Sequence, residues 1–142
     1  MLKNIPSILS PDLLKILMEM GHGDEIVIAD GNFPSANYGQ RLVRLDGHGV
    51  PEVISAILDL MPLDIYVDAP VSLMEVVPGD PYIPEIWDVY KKIIEEKEGA
   101  KEIQNVERFA FYERAKKAYA VVATGETSLY ANIILKKGVV VQ

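Results

Sequence analysis

The 142-residue sequence has no cysteine, only two histidines and one tryptophan. Without cysteine, the chain has no disulfide framework, no thiolate zinc site and no thiol nucleophile. This composition is compatible with a reducing cytoplasm, which is the location we expect. A metal centre would need mainly carboxylate ligands, because neither His22 nor His48 lies in an HxxxH-type spacing. The sequence therefore argues against a catalytic metal.

Long apolar runs and an excess of positive charge are also missing. No stretch approaches the roughly 18 to 20 apolar residues that span a bilayer, and residues 1–6 lack the apolar core of a signal peptide. The net charge is −7, from 14 basic and 21 acidic residues. Because an acidic surface repels phosphate backbones, neither nucleic acid nor a membrane is an expected partner.

Common catalytic motifs are absent as well. Gly21-His22-Gly23 precedes a predicted strand, whereas the glycines of a dinucleotide-binding loop follow a strand and open a helix. There is no P-loop sequence, and the absence of a Gly-x-Ser-x-Gly elbow argues against a serine hydrolase. We therefore expect no cofactor.

The most informative segment that is present runs from Gly21 to Asp30. It places His22 in a glycine-flanked turn, continues through a short apolar strand and ends on a carboxylate. Histidine can give and take a proton near neutral pH, and ligands of open α/β sheets usually bind at strand ends. We expect the two side chains to share one edge of the sheet and a small-molecule site. The alternative is a helix C-cap with a left-handed Gly21 and an exposed, idle His22.

Hydrophobic periodicity indicates helices that alternate with strands. Proline and N-cap signals start helices near residues 11, 51, 84 and 107, and Gly21 and Gly99 end two of them. Predicted strands cover residues 25–29, 42–45, 65–67, 71–77, 118–123, 132–135 and 139–141. Residues 31–39 are rich in turn formers and form a candidate lid or binding loop. The pattern predicts one three-layer α/β/α domain over residues 1–142, with a largely parallel or mixed central sheet.

The remaining polar candidates include no strong nucleophile: His22, Asp30, Arg108, Tyr112, Tyr130 and Asn132. Such a mixture of donors and acceptors suits a polyhydroxylated ligand and acid–base chemistry. Structural roles are open for several of them. Asp30 is able to form an Asx turn, and Arg108 and Tyr112 are one helical turn apart and able to pair on a solvated face. His48, between two glycines, is expected to be exposed and without function.

Several long motifs in one order resemble the fucose mutarotase and ribose pyranase family. The resemblance covers essentially the whole chain. Its strongest pieces are Met20-Gly21-His22-Gly23-Asp24-Glu25-Ile26, Asp30 with Asn32-Phe33-Pro34, Pro62-Leu63-Asp64, the segment from Glu107 to Ala118, Ala123-Thr124-Gly125-Glu126-Thr127, and Tyr130-Ala131-Asn132-Ile133-Ile134-Leu135.

The resemblance implies an isomerase that interconverts the anomers of a free sugar. It assigns proton donation to His22 and a catalytic role to Tyr112. It also implies substrate-binding positions at Asp30, Asp64, Met74, Arg108, Tyr130, Ala131 and Asn132. It further implies a homo-oligomer, often a decamer, with pockets completed near subunit interfaces. No metal or other cofactor is implied.

L-Fucose is the expected substrate, with D-ribose as the alternative. Ala131 stands where many fucose-type relatives have glycine, as in ribose-type members, and a positive φ there would strain an alanine. Gly23 favours fucose, because ribose-type members tend to carry threonine at that position. The extra methyl group of a deoxyhexose would suit an apolar wall from Met74 or Phe109. A non-catalytic monosaccharide-binding module is the alternative from another functional class.

Overall fold

Six strands form one mixed sheet in the computed structural model, which describes residues 1–142. In chain order they are β1 (Glu25–Ala29), β2 (Leu42–Leu45), β3 (Val71–Met74), β4 (Ile103–Val106), β5 (Ala120–Thr124) and β6 (Ile133–Lys136). Their spatial order is β2-β5-β1-β6-β3-β4. The central strands are nearly continuous apolar runs because both faces of the sheet are covered.

Strand β6 alone runs against the others. It pairs antiparallel with β1 on one side and with β3 on the other, whereas the β1–β5, β2–β5 and β3–β4 pairs are parallel. The start of β6 therefore lies at the same sheet edge as the ends of β1 and β3. The predicted mixed sheet is confirmed.

Helices cover both faces of this sheet, as predicted for a three-layer fold. They are α1 (Pro11–Glu19), α2 (Ser35–Tyr38), α3 (Val50–Leu58), α4 (Ile86–Glu98) and α5 (Arg108–Lys117). Helices α1, α3 and α4 pack in the larger apolar core with Ile26 and Ile28 of β1, and α5 packs in a smaller core with Val27 and Ala29. Alternate side chains of β1 thus pack against the helices on opposite faces of the sheet. None of the five helices has the length and apolarity that crossing a bilayer requires.

Local signals place the helix ends near their predicted positions. The Ser10 hydroxyl accepts a hydrogen bond from the Leu13 N–H at 3.2 Å, and Pro11 follows at the first helical position. The Glu107 carboxylate caps α5 in the same way by accepting from the Ala110 N–H at 3.0 Å. Gly99, with φ +80°, ends α4.

Two predicted strands are wrong. Residues 65–67 form no strand because the Asp64 carboxylate accepts a hydrogen bond from the Tyr66 N–H at 3.0 Å, which turns the chain. Residues 139–141 form none either. The last pairing after β6 is an isolated antiparallel bridge between Lys137 and Leu63, and beyond it the chain pairs with no strand.

Other boundaries differ because tertiary pairing decides them. The strand predicted over 71–77 ends at Met74, and α2 is a single turn inside the predicted loop. Strand β4 was not predicted, since two of its four residues, Gln104 and Asn105, are polar and exposed. Strand β4 is the outermost strand on one side of the sheet, where polar residues face solvent.

Candidate active site

A cavity of about 240 Å³ opens at the sheet edge where β1 and β3 end and β6 begins. This volume lies below the range of about 300–1,000 Å³ that suits drug-sized ligands, and fits a smaller molecule. Its lining combines carboxylates, an arginine, hydroxyls and amides with apolar side chains: Asp30, Asn32, Phe33, Met74, Val77, Asp80, Arg108, Tyr112, Leu129, Tyr130 and Asn132. Six of the predicted site residues are therefore brought together: Asp30, Met74, Arg108, Tyr112, Tyr130 and Asn132.

Asp30 follows β1 and is only 6% exposed. Its Oδ1 accepts a hydrogen bond from the Asn32 N–H at 3.0 Å, so the Asx turn considered as an alternative does form. Its own N–H donates to Asn132 Oδ1 at 2.8 Å, which joins the end of β1 to the start of β6. Burial raises the pKa of the Asp30 carboxyl, and the amides of Asn32, Ala131 and Phe33 only partly oppose this.

Tyr130 precedes β6 and is held at its ring and at its backbone. Its hydroxyl donates to Asp80 Oδ2 at 2.6 Å, and its ring stacks on Tyr82 with centroids 5.9 Å apart. The hydrogen bond to Asp80 raises the pKa of the Tyr130 hydroxyl and lowers that of the Asp80 carboxyl. The backbone of Tyr130 is left-handed, with φ +55°.

Helix α5 contributes Arg108 and Tyr112 to the same cavity. The Arg108 guanidinium lies 4.4 Å from the centroid of the Phe109 ring and forms no ion pair. Tyr112 stacks on Tyr38 with centroids 5.2 Å apart and meets Phe33 edge-on. The two residues do not pair with each other, which leaves the cation and the hydroxyl available to a ligand.

Met74, Val77 and Leu129 supply apolar surface to the cavity. Phe109, considered for an apolar wall, lines a neighbouring depression instead. Ala131 is fully buried and outside the lining. Its φ is not positive, since the left-handed residue is the preceding one, so alanine is unstrained there.

His22 and Asp64 lie at the opposite edge of the sheet, which corrects the expectation that His22 and Asp30 share one edge. His22 and Asp30 flank β1, whose five residues span about 16 Å at a rise of about 3.3 Å each. His22 Nε2 lies 3.0 Å from Asp64 Oδ1, its side chain is 46% exposed, and its ring is 5.4 Å from that of Tyr66. The left-handed residue of this turn is Gly23 rather than Gly21.

Asp64 orients His22 from a buried position. The Tyr66 N–H and then the His22 imidazole hold the pKa of the Asp64 carboxyl below its usual value, against the effect of burial. A buried carboxylate that bonds one imidazole nitrogen fixes the ring and its tautomer. Next to this pair, residues Ile65 and Tyr66 are 70% and 72% exposed.

Sequence reasoning missed Asp80, Val77 and Leu129. Asp80 lies in Pro78-Gly79-Asp80-Pro81, a turn signal in the sequence, but nothing there indicates that the turn reaches Tyr130. The loop over 31–39 was expected to bind or cover a ligand, and its Asn32 and Phe33 do line the cavity. His48 bonds Glu52 at 3.2 Å, away from the cavity.

Chemically, the cavity offers hydrogen-bond acceptors at Asp30 and Asp80, a cation at Arg108 and neutral groups at Tyr112 and Asn132. This donor and acceptor set suits several hydroxyl groups on one small ligand. The structure contains no group of three or more His, Asp or Glu side chains placed to hold a metal ion.

Known proteins resemble the chain along almost its whole length. Fucose mutarotase of Homo sapiens is 50% identical over 144 residues, which cover 97% of this chain and 94% of the human protein. The crystal structure of the fucose mutarotase in complex with L-fucose from Streptococcus pneumoniae has a TM-score of 0.93 and 60% identity, and the match covers 99% and 100% of the two chains. The structure of Bacillus subtilis RbsD complexed with D-ribose has a TM-score of 0.75 and 26% identity, and the match covers 99% of this chain and 100% of that one. The RbsD / FucU transport protein family matches residues 3–140, and the chain therefore belongs to that family.

Proposed function

We propose that the protein interconverts the α and β anomers of free L-fucose. The observation that carries the proposal is the meeting of Asp30, Arg108, Tyr130 and Asn132, from distant parts of the sequence, on one small cavity. The chain shares 60% identity with a fucose mutarotase whose structure was solved with L-fucose, and this supports the choice of sugar.

Mutarotation requires only proton transfers. A proton is delivered to the ring oxygen while another leaves the anomeric hydroxyl, and the ring opens to the aldehyde. The C1–C2 bond rotates, and closure on the other face reverses the two transfers. A positioned acid and base typically contribute about 10² to 10⁴-fold each, so no covalent intermediate is needed.

We assign the base to Asp30. A carboxylate whose pKa is raised by burial accepts a proton more readily than an ordinary one. Asp80, the other carboxylate of the lining, has its pKa lowered by the Tyr130 hydroxyl and is a weaker base. Arg108 and Asn132 would hold sugar hydroxyls, and Tyr112 would lie close to the anomeric hydroxyl.

We assign the acid to His22 of a neighbouring copy. Within one chain His22 lies at the far end of β1, beyond hydrogen-bond reach of a sugar in the Asp30 cavity. Its half-exposed imidazole, fixed by Asp64 and flanked by the exposed Ile65 and Tyr66, suits a surface that joins another copy. The site would then form between subunits of a homo-oligomer. The decamer and the cytoplasmic location remain predictions.

L-Fucose is favoured over D-ribose. The relative that binds D-ribose is 26% identical, whereas the human and Streptococcus pneumoniae fucose mutarotases are 50% and 60% identical. The apolar surface of Met74, Val77 and Leu129 gives the methyl group of a 6-deoxyhexose a place to pack.

Saturation-transfer NMR tests the proposal directly. Catalytic amounts of protein should speed exchange between the anomers of L-fucose, and more so than exchange of D-ribose. Binding without faster exchange would instead support the sugar-binding module, and preference for D-ribose would support the pyranase. No acceleration for fucose, ribose or galactose would reject the function.

Replacing His22 by alanine should lower the exchange rate by at least about 100-fold while L-fucose binding stays nearly intact. His48→Ala is the matched control, because it removes the only other histidine at a place outside the cavity. Full activity of His22→Ala would remove His22 from the mechanism.

A further inference from the structure

Tyr130 adopts a backbone conformation that its residue type disfavours. Its φ is +55°, and Asn4 is the only other non-glycine residue with a positive φ. Asparagine visits this region routinely, whereas for a residue such as tyrosine it is disfavoured by roughly 5- to 30-fold. Other contacts must therefore hold Tyr130 in this conformation.

Helix α4 supplies these contacts from behind the cavity. The Trp87 indole N–H donates to the Tyr130 carbonyl at 2.7 Å, and the Tyr90 hydroxyl donates to the next carbonyl, that of Ala131, also at 2.7 Å. Trp87 and Tyr90 are three residues apart on α4, which puts them on the same side of the helix. Neither lines the cavity.

The two donors differ in their surroundings. Tyr90 is fully buried in the larger core, so loss of its hydroxyl would disturb the fold in general. Trp87 is only half-buried and packs at the margin of that core. Its hydrogen bond goes to the strained residue itself.

We propose that Trp87 is a positioning residue for sugar binding. Its indole N–H stabilises the left-handed turn at Tyr130, which directs the Tyr130 ring to the cavity and sets Asn132 against the Asp30 backbone at 2.8 Å. Without that bond the turn relaxes to a negative φ in most of the molecules. This inference rests on the proposed sugar site, and it adds a residue that does not touch the sugar.

The test variant is Trp87→Phe, which keeps an aromatic ring and removes the donor. A smaller share of molecules in the competent conformation weakens apparent affinity in proportion to that share. We expect the Kd and KM for L-fucose to rise about tenfold and kcat to change by less than about twofold, since saturating sugar restores the competent turn. NMR titration gives the Kd and saturation transfer gives the kinetic constants.

A double-mutant cycle separates positioning from packing. Glycine adopts φ > 0 without strain, so in a Tyr130→Gly background Trp87→Phe should change the Kd by less than about twofold. A tenfold loss that persists in the glycine background, or a lowered Tm with an unchanged Kd, would overturn the inference.

The outcome is distinguishable from failure of the proposed function. If the wild-type chain binds L-fucose without speeding exchange, the mutarotase proposal fails, while the Trp87 effect on Kd still supports the inference. If the wild-type chain does not bind L-fucose, both are rejected.

Discussion

Mixing two inactive variants tests whether the catalytic site forms between copies. His22→Ala removes the proposed acid, and Asp30→Asn removes the proposed base while its amide oxygen still accepts from the Asn32 N–H. In one chain the two residues are separated by the length of β1, about 16 Å. Proton transfer requires a heavy-atom distance of about 2.6–3.2 Å. If the proposed roles are right, a complete site would take its His22 from one copy and its Asp30 from another.

The expected magnitude follows from counting sites. In an equal mixture before purification, a site has an intact His22 in half of the cases and an intact Asp30 in half, independently. About one quarter of all sites should then be intact. Doubly tagged oligomers exclude the pure parents, so they should show at least about one quarter of wild-type exchange, and about one half if the oligomer is a dimer. Each parent alone should remain near the uncatalysed rate.

The assay is saturation transfer on L-fucose after co-expression of the two variants with different affinity tags. Sequential purification on both tags proves that mixed oligomers are present. Substituting His48→Ala for His22→Ala provides a control that is active by itself. Doubly tagged oligomers that are no more active than the parents would refute an active site shared between copies.

Three further predictions concern stability. Ser35→Ala should leave the free energy of unfolding unchanged or raise it by up to about 1 kcal/mol, because the buried Ser35 hydroxyl has no hydrogen-bond partner; a clear loss in denaturant unfolding would contradict this. Asp64 has a lowered pKa, so its contribution exists above its unfolded pKa of about 4 and is lost as the pH falls through the folded value. Asp64→Asn should therefore destabilise at pH 7 but not below the folded pKa, and equal losses at both pH values would disprove the linkage. Gly125→Ala would push its methyl group into the Asp46 carbonyl and should cost about 1–3 kcal/mol, visible as a lowered Tm; an unchanged Tm would show that the loop moves aside freely.

The sequence predicts elements well where local chemistry determines them. Ser10 with Pro11 starts α1 and Gly99 ends α4, as the side chains and φ values require. Residues 65–67 look like a strand by composition, yet the Asp64 carboxylate turns the chain at Tyr66. A single side-chain hydrogen bond overrode the β propensity there.

The site is only partly predictable because it depends on strand direction. Asp30 and Asn132 are correctly expected at strand ends, but their contact exists only because β6 runs antiparallel to β1. His22 and Asp30 lie close in sequence, and this proximity misleads because an extended strand separates them. The left-handed φ of Tyr130 and its bond from Trp87 have no sequence signal, since both arise from the packing of α4 against this turn.

Strand β6 also fixes a distance within the chain. Asn132 at its start contacts Asp30, and at its far end the Gly23 N–H donates to the Lys137 carbonyl at 2.9 Å, one residue from His22. The four residues of β6 thus set the distance between Asp30, the proposed base, and His22, the proposed acid. Any assembly that brings the His22 of one copy to the Asp30 of another would have to match this fixed distance. Inserting one residue into β6 would therefore displace Asn132 from Asp30 and Lys137 from Gly23 at the same time.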